Sequence, residues 1–127
     1  MSMDKKTTVD DINNVVKKFV DDRDWEQFHN PKDVALALSI EVAEVLEHFR
    51  WKSPDEVKEW LTNPNNKKEL ADEIGDCVYF LFDLARVSNI DIAKAFEEKI
   101  EKSAEKYPIE LVKGKHHKYT YYQKKQE

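Results

Sequence analysis

The sequence predicts an all-α protein: a bundle of four to five helices, its core completed by oligomerisation. Three observations carry this reading. Glycine occurs twice and proline four times in 127 residues, which disfavours a turn-rich β architecture and suits helices joined by short loops. Apolar residues recur at helical spacing through three long stretches, near residues 9–20, 34–49 and 70–85. Apolar residues make up 40% of the chain against 37% charged, a low share for a self-sufficient core, so part of the core is expected to form between subunits.

The length fits one domain, read here as a frayed N-terminus over 1–8, a helical domain over 9–112 and a basic tail over 113–127. The net charge of −5 argues against a stable nucleic-acid binder. Lys113, Lys115, Lys118, Lys124 and Lys125 nevertheless gather near the C-terminus with His116 and His117, either as a solvated tail or as a phosphate-binding segment. The single cysteine, Cys77, has no internal disulfide partner and reads as an inert core thiol. There is no secretory pattern at the N-terminus and no apolar run long enough to span a bilayer, so a soluble, cytoplasmic protein without membrane partners is expected.

The first helix is expected over 9–22, where Val9, Ile12, Val15, Val16, Phe19 and Val20 fall at helical spacing and Asp10 and Asp11 favour the first turn. Residues 23–30 form a loop carrying Trp25, Phe28 and His29. Trp25 is either a stacking residue or a plug closing one end of the bundle. Glu26 and His29 make a lone Glu-x-x-His pair, discounted because a di-iron bundle needs two such pairs on helices.

Asn30-Pro31 is a cap followed by proline at the first helical position, so the second helix runs from there to about Phe49. On a helical wheel with Glu41 at zero, Val34, Val45, Leu38, Phe49, Val42, Ala35 and Leu46 span about 20° to 140°, while Glu44 lies about 60° to the other side. Glu47 continues the acidic row. His48 falls between Glu41 and Glu44, as a ligand or as a hydrogen-bonded flank. Ser53-Pro54-Asp55-Glu56 is a capping box that starts a short third helix, to about Leu61. Residues 62–66 read as a linker.

The fourth helix is expected over 67–87. With Glu73 at zero, its apolar residues from Leu84 to Phe82 span about 20° to 180°, and Asp76 lies about 60° to the other side. The pairs Glu41/Glu44 and Glu73/Asp76 therefore have the same offset from their own apolar stripes. Packing the two helices on those stripes brings four carboxylates into one groove, where a hard divalent cation would relieve their repulsion. The competing reading is a solvated acidic face, to which Glu69, Asp72 and Asp83 would also belong. The apolar arc is wider than one bundle face needs, which suggests a second contact with another subunit. Asn89-Ile90-Asp91 is a turn and cap. A fifth helix then runs to about Lys106, with Lys99 inside its apolar stripe, either snorkelling or pointing into an anionic site. Pro108 ends it, and the remainder reads as an irregular tail.

Taken in order, Arg23-Asp24-Trp25-Glu26-Gln27-Phe28-His29-x-Pro31, Glu41-x-x-Glu44-x-x-Glu47-x-Phe49-x-Trp51, Glu73-x-x-Asp76, Lys99, Tyr107-Pro108 and Lys118-Tyr119-Thr120 resemble the MazG-like nucleoside triphosphate pyrophosphohydrolases, above all the dCTP pyrophosphatase branch. The resemblance covers residues 12 to 120. It implies a MazG-like helical bundle assembled as a tetramer, with active sites made partly across subunits. It implies Mg²⁺, with Mn²⁺ as a substitute, held by Glu41, Glu44, Glu73 and Asp76. It implies cleavage of a dNTP to the monophosphate and pyrophosphate, with Glu44 or Glu47 as the candidate general base. Substrate contacts fall to Trp25, His29, Trp51, Phe80, Lys99, Ser103 and Tyr107. Ser103 stands where many relatives carry Asn, and Phe80 where some carry Tyr. The alternatives are a catalytically silent nucleotide-binding protein and a helical interaction module.

Overall fold

Local capping chemistry sets the helix starts. Thr8 accepts from the Asp11 amide while the Asp11 carboxylate accepts from the Thr8 amide, a reciprocal box that opens α1 (Val9–Asp21). Asn30 caps α2 (Pro31–Phe49) through the Asp33 amide, with proline at the first position as expected. Ser53 and Glu56 form the expected box on α3 (Pro54–Trp60). Asn63 and Pro64 open α4 (Pro64–Val87) three residues before the expected start. The apparent linker is thus the cap and first turn of the longest helix. Asp91 caps α5 (Ile92–Lys106). Where an irregular tail was expected, two short helices form, α6 (Ile109–Val112) and α7 (Tyr119–Gln123). The computed structural model describes residues 2–124, and Lys125 of the basic cluster lies outside them. Among the described residues there is no β-strand, and no helix is long and apolar enough to cross a membrane.

The chain divides into two units, 1–90 and 91–127. In the first, α4 packs along α2 and also against α1. The pairing of α2 with α4 is the one the matched stripes predict. Its core is small: Val16 and Val20 on α1, Val34 on α2 and Ala85 on α4 are buried. Much of the predicted stripe is instead exposed within one chain, including Val42 and Leu46 on α2 and Ile74, Val78 and Leu81 on α4. The second unit holds α5 to α7. There Tyr122 is buried, with its ring edge-on to Tyr107, His117 and Tyr121.

The wheel misassigned one residue. Asp83, read as part of a solvated acidic face, is fully buried. The 23–30 loop folds over it through a 3₁₀ turn (Glu26–Phe28). Arg86 donates twice to Asp83 Oδ1, at 3.0 and 2.7 Å, and His29 Nδ1 bonds Asp83 Oδ2. Arg86 also pairs with Glu26 at 2.9 Å. Glu26 and His29, three apart on the loop, thus meet Arg86 and Asp83, three apart on α4. The discounted Glu-x-x-His pair is an ion-pair clamp on the helix and not a metal motif.

Candidate active site

Glu41 on α2 and Glu73 and Asp76 on α4 each offer a carboxylate oxygen, the three lying within 4.8 Å of one another. Burial, then the charges of Asp76, Glu73 and Glu44, push the Glu41 carboxyl above the usual carboxylate range. Burial, then the charges of Glu41, Asp76 and Glu73, raise the Cys77 thiol above its ordinary range, which keeps it protonated and unreactive. None of the three carboxylates has a cationic partner among the described residues. Oxygen donors so placed, with their repulsion uncompensated, fit a hard divalent cation. Glu44 is exposed one turn away and falls outside the three-residue group. Glu47 is more remote and pairs with Arg50 at 3.5 Å. His48 lies outside the three-residue group: its ring centroid is 5.2 Å from that of Trp60, and its Nε2 is buried without a hydrogen-bond partner among the described residues.

Two of the carboxylates, Glu41 and Asp76, also border a cleft of about 440 Å³ lined by Phe19, Trp25, His29, Tyr79 and Phe80. The rings form a continuous edge-to-face series. Trp25 meets Phe19 at 5.9 Å, Phe19 meets Tyr79 at 5.5 Å, and Tyr79 meets Phe80 at 4.7 Å. His29 stacks on Trp25 at 6.3 Å with an interplanar angle of 22°. The cleft therefore joins acidic carboxylates to a largely aromatic lining. A ligand with a cation-bound anionic end and a planar end matches both.

The structure thus gathers Trp25, His29, Phe80, Glu41 and Asp76 around one cleft. It does not bring Trp51 there. Trp51 follows the end of α2 with a left-handed backbone (φ +65°) and a side chain almost wholly in solvent. Left-handed backbone in a bulky non-glycine residue costs on the order of 1 kcal/mol. Lys99, Ser103 and Tyr107 belong to α5 and its C-cap in the second unit. Lys99 is exposed, Ser103 half-buried, and the Ser103 carbonyl accepts from the Tyr107 amide at 3.0 Å. Sequence reasoning missed Phe19 and Tyr79 as cleft residues, and Asp83 and Arg86 as the supports of His29. The matching three-residue spacings of Glu26/His29 and Asp83/Arg86, with complementary charges, were the available signal.

Comparison with known proteins places these features in context. The sequence pattern of the MazG-like family matches residues 36–121. The chain is 35% identical over 119 residues to dCTP pyrophosphatase 1 of Rattus norvegicus, covering 94% of this chain and 70% of the relative. The Homo sapiens protein of the same name is 34% identical with the same coverage. A crystal structure of a pyrophosphatase from Archaeoglobus fulgidus superposes with a TM-score of 0.73 at 39% identity, covering 78% of this chain and 91% of that one. With the family pattern spanning most of the chain and these relatives nearly all of it, the chain belongs to the MazG-like family.

Proposed function

We propose that the protein is a nucleoside triphosphate pyrophosphatase. It hydrolyses dCTP or a modified dCTP at the α–β phosphoanhydride bond, giving dCMP or its modified form and pyrophosphate. The observation that carries this reading is the shared cleft: carboxylates from α2 and α4 border the same space as Trp25, His29 and Phe80. A nucleoside triphosphate needs both surroundings at once, and the names of the mammalian relatives support dCTP. We assign the cation as Mg²⁺, with Mn²⁺ able to substitute, because all the donors are carboxylate oxygens. When bound, it supplies charge neutralisation and Lewis acidity at the phosphoryl group.

The chain's own residues do the rest. Glu41, Glu73 and Asp76 hold the cation. Glu44, one turn along α2, either completes this set or takes the proton of the attacking water. Glu47 is the weaker candidate for that proton, because Arg50 already engages it. Trp25, His29 and Phe80 receive the base. Lys99, Ser103 and Tyr107 are assigned to the substrate by family resemblance, with Lys99 contacting phosphate. We assign Trp51 to the cleft of a neighbouring subunit. Its exposure and left-handed backbone support that role. The exposed apolar faces of α2 and α4 support a homo-oligomer, which the resemblance makes a tetramer. The reading describes a cytoplasmic enzyme acting on free nucleotides.

The test is a panel of dNTPs, NTPs and 5-methyl-dCTP with Mg²⁺, products resolved by chromatography. Monophosphate and pyrophosphate from a deoxycytidine nucleotide, abolished by chelator, are expected. No product from any nucleotide, or release of orthophosphate alone, contradicts the proposal.

A further inference from the structure

Asp83 is the one charged residue classed as buried among the described residues, and the proposed chemistry does not use it. Its hydrogen bonds dictate how His29 faces the cleft. Arg86 donates to Oδ1 from both Nε and Nη2, which keeps that oxygen an acceptor. A carboxylate so held has only lone pairs to offer at Oδ2 as well. His29 Nδ1 must therefore carry a proton and donate it to Oδ2. In the neutral ring, Nε2 is then a bare lone pair. Nδ1 is turned away to Asp83 and one ring face is stacked on Trp25. The Nε2 edge is the polar edge His29 has left for the cleft it lines, and Nε2 has no hydrogen-bond partner among the described residues.

We propose that Asp83 is a specificity-determining positioning residue: it fixes the His29 tautomer so that Nε2 accepts a hydrogen bond from the exocyclic amino group of the bound base. This rests on the nucleotide reading above. Glu26 holds Arg86 from the loop side, so the loop carrying Trp25 and His29 is clamped by the same ions that set the tautomer. A base with an amino group at this edge is satisfied. A base with a carbonyl there meets a second acceptor, and two facing lone pairs leave both groups unpaired.

Asp83→Asn gives a sharp prediction because Arg86 determines which way the amide sits. The amide oxygen must face Arg86, so the NH₂ group takes the place of Oδ2 and donates to His29 Nδ1. The ring then shifts its proton to Nε2 and presents a donor to the cleft. The acceptor that reads an amino group becomes a donor that reads a carbonyl.

The experiment has two arms. The first is the imidazole ¹⁵N–¹H spectrum of the histidine-labelled protein in mildly alkaline buffer, where a free imidazole is neutral, with His29 identified by its loss in His29→Gln. The wild type is expected to hold the Nδ1–H tautomer and Asp83→Asn the Nε2–H tautomer. A wild type in the Nε2–H form overturns the proposal, and this needs no variant of Asp83 to fold. The second arm compares kcat/KM for dCTP and dUTP, whose bases differ in that amino or carbonyl group and in the proton on the adjacent ring nitrogen, so the change in ratio between wild type and Asp83→Asn is what isolates the His29 edge. The dCTP/dUTP ratio is expected to fall at least about tenfold in Asp83→Asn, the worth of one misdirected hydrogen bond. An unchanged ratio alongside a switched tautomer overturns the base-reading role. A merely structural clamp would lower both values together and leave the ratio alone. If the wild type turns over no nucleotide, the functional reading fails and base reading with it, while the spectrum still decides whether Asp83 sets the ring.

Discussion

On α4, Glu73 and Asp76 lie against a third carboxylate, Glu41, with no cationic partner among the described residues. About two turns further along the same helix, Asp83 is more deeply buried yet holds an arginine and a histidine. The first station is partly open to solvent, with Glu41 and Glu73 half-buried and Asp76 exposed, whereas Asp83 is fully buried. One answers the charge from within the chain and the other leaves it to something from outside. Buried carboxylates are tolerated only when paired. An uncompensated group beside a cleft is therefore the station to assign to a ligand, and a compensated one the station to assign to structure and orientation.

The contrast breaks most visibly on stability. Asp83→Ala strands Arg86 and His29 and is expected to cost about 3–5 kcal/mol, the usual penalty for removing one partner of a buried pair. Chemical denaturation measures it, and a loss below about 1 kcal/mol would make the clamp incidental. Glu73→Gln should behave oppositely. It removes a like charge, so the metal-free protein keeps or gains thermal stability while nucleotide turnover falls more than about 100-fold, beyond what losing a mere outer-shell contact costs. Full turnover in Glu73→Gln would remove the acidic group from the mechanism.

The assignment within the acidic row sharpens next. Glu44→Gln is expected to lower kcat on the order of 100-fold, in the range for a lost general base. Glu47→Gln should stay within a few-fold, since the Glu47–Arg50 pair is solvent-exposed. The reverse order would move the proton-accepting role to Glu47.

The smallest effect is in pH. The Glu41 carboxyl sits above its ordinary range in the fold, through burial and then through Asp76, Glu73 and Glu44. The folded protein thus holds that proton more tightly than the unfolded chain. The resulting stabilisation is complete below the ordinary carboxylate pKa and is lost as pH rises through the raised value. Melting curves in chelator should show that decline over the weakly acidic range, and a divalent cation should flatten it.

Much of the fold was legible because it is written locally. Asn30-Pro31, Ser53-Pro54 and Asp91 act where capping chemistry says they should, and the α2–α4 pairing follows from two stripes with matching offsets. Asn63-Pro64 carried the same signal, but the asparagines around it made it resemble a linker. Of the site, the acidic group emerged from wheel geometry, though Glu44 fell outside the cluster. Family resemblance gave the aromatic residues, and Trp51 proved absent from its own chain's cleft. Asp83 was misjudged because a wheel knows only its own helix. The 23–30 loop covers that face, and a contact across more than fifty residues of sequence leaves no periodic trace. The width of the apolar arcs carried information too. What looked like excess on α4 is surface left exposed within one chain.

The most direct test is the thermal stability of the metal-free protein titrated with Mg²⁺, run in parallel on wild type and Glu73→Gln. A cation bound at Glu41, Glu73 and Asp76 stabilises the folded state in proportion to the logarithm of its concentration once above its dissociation constant. The expected result is a melting temperature that climbs with Mg²⁺ in the wild type and stays level in Glu73→Gln. A wild type that does not respond, or a variant that responds equally, would contradict a metal site at these carboxylates.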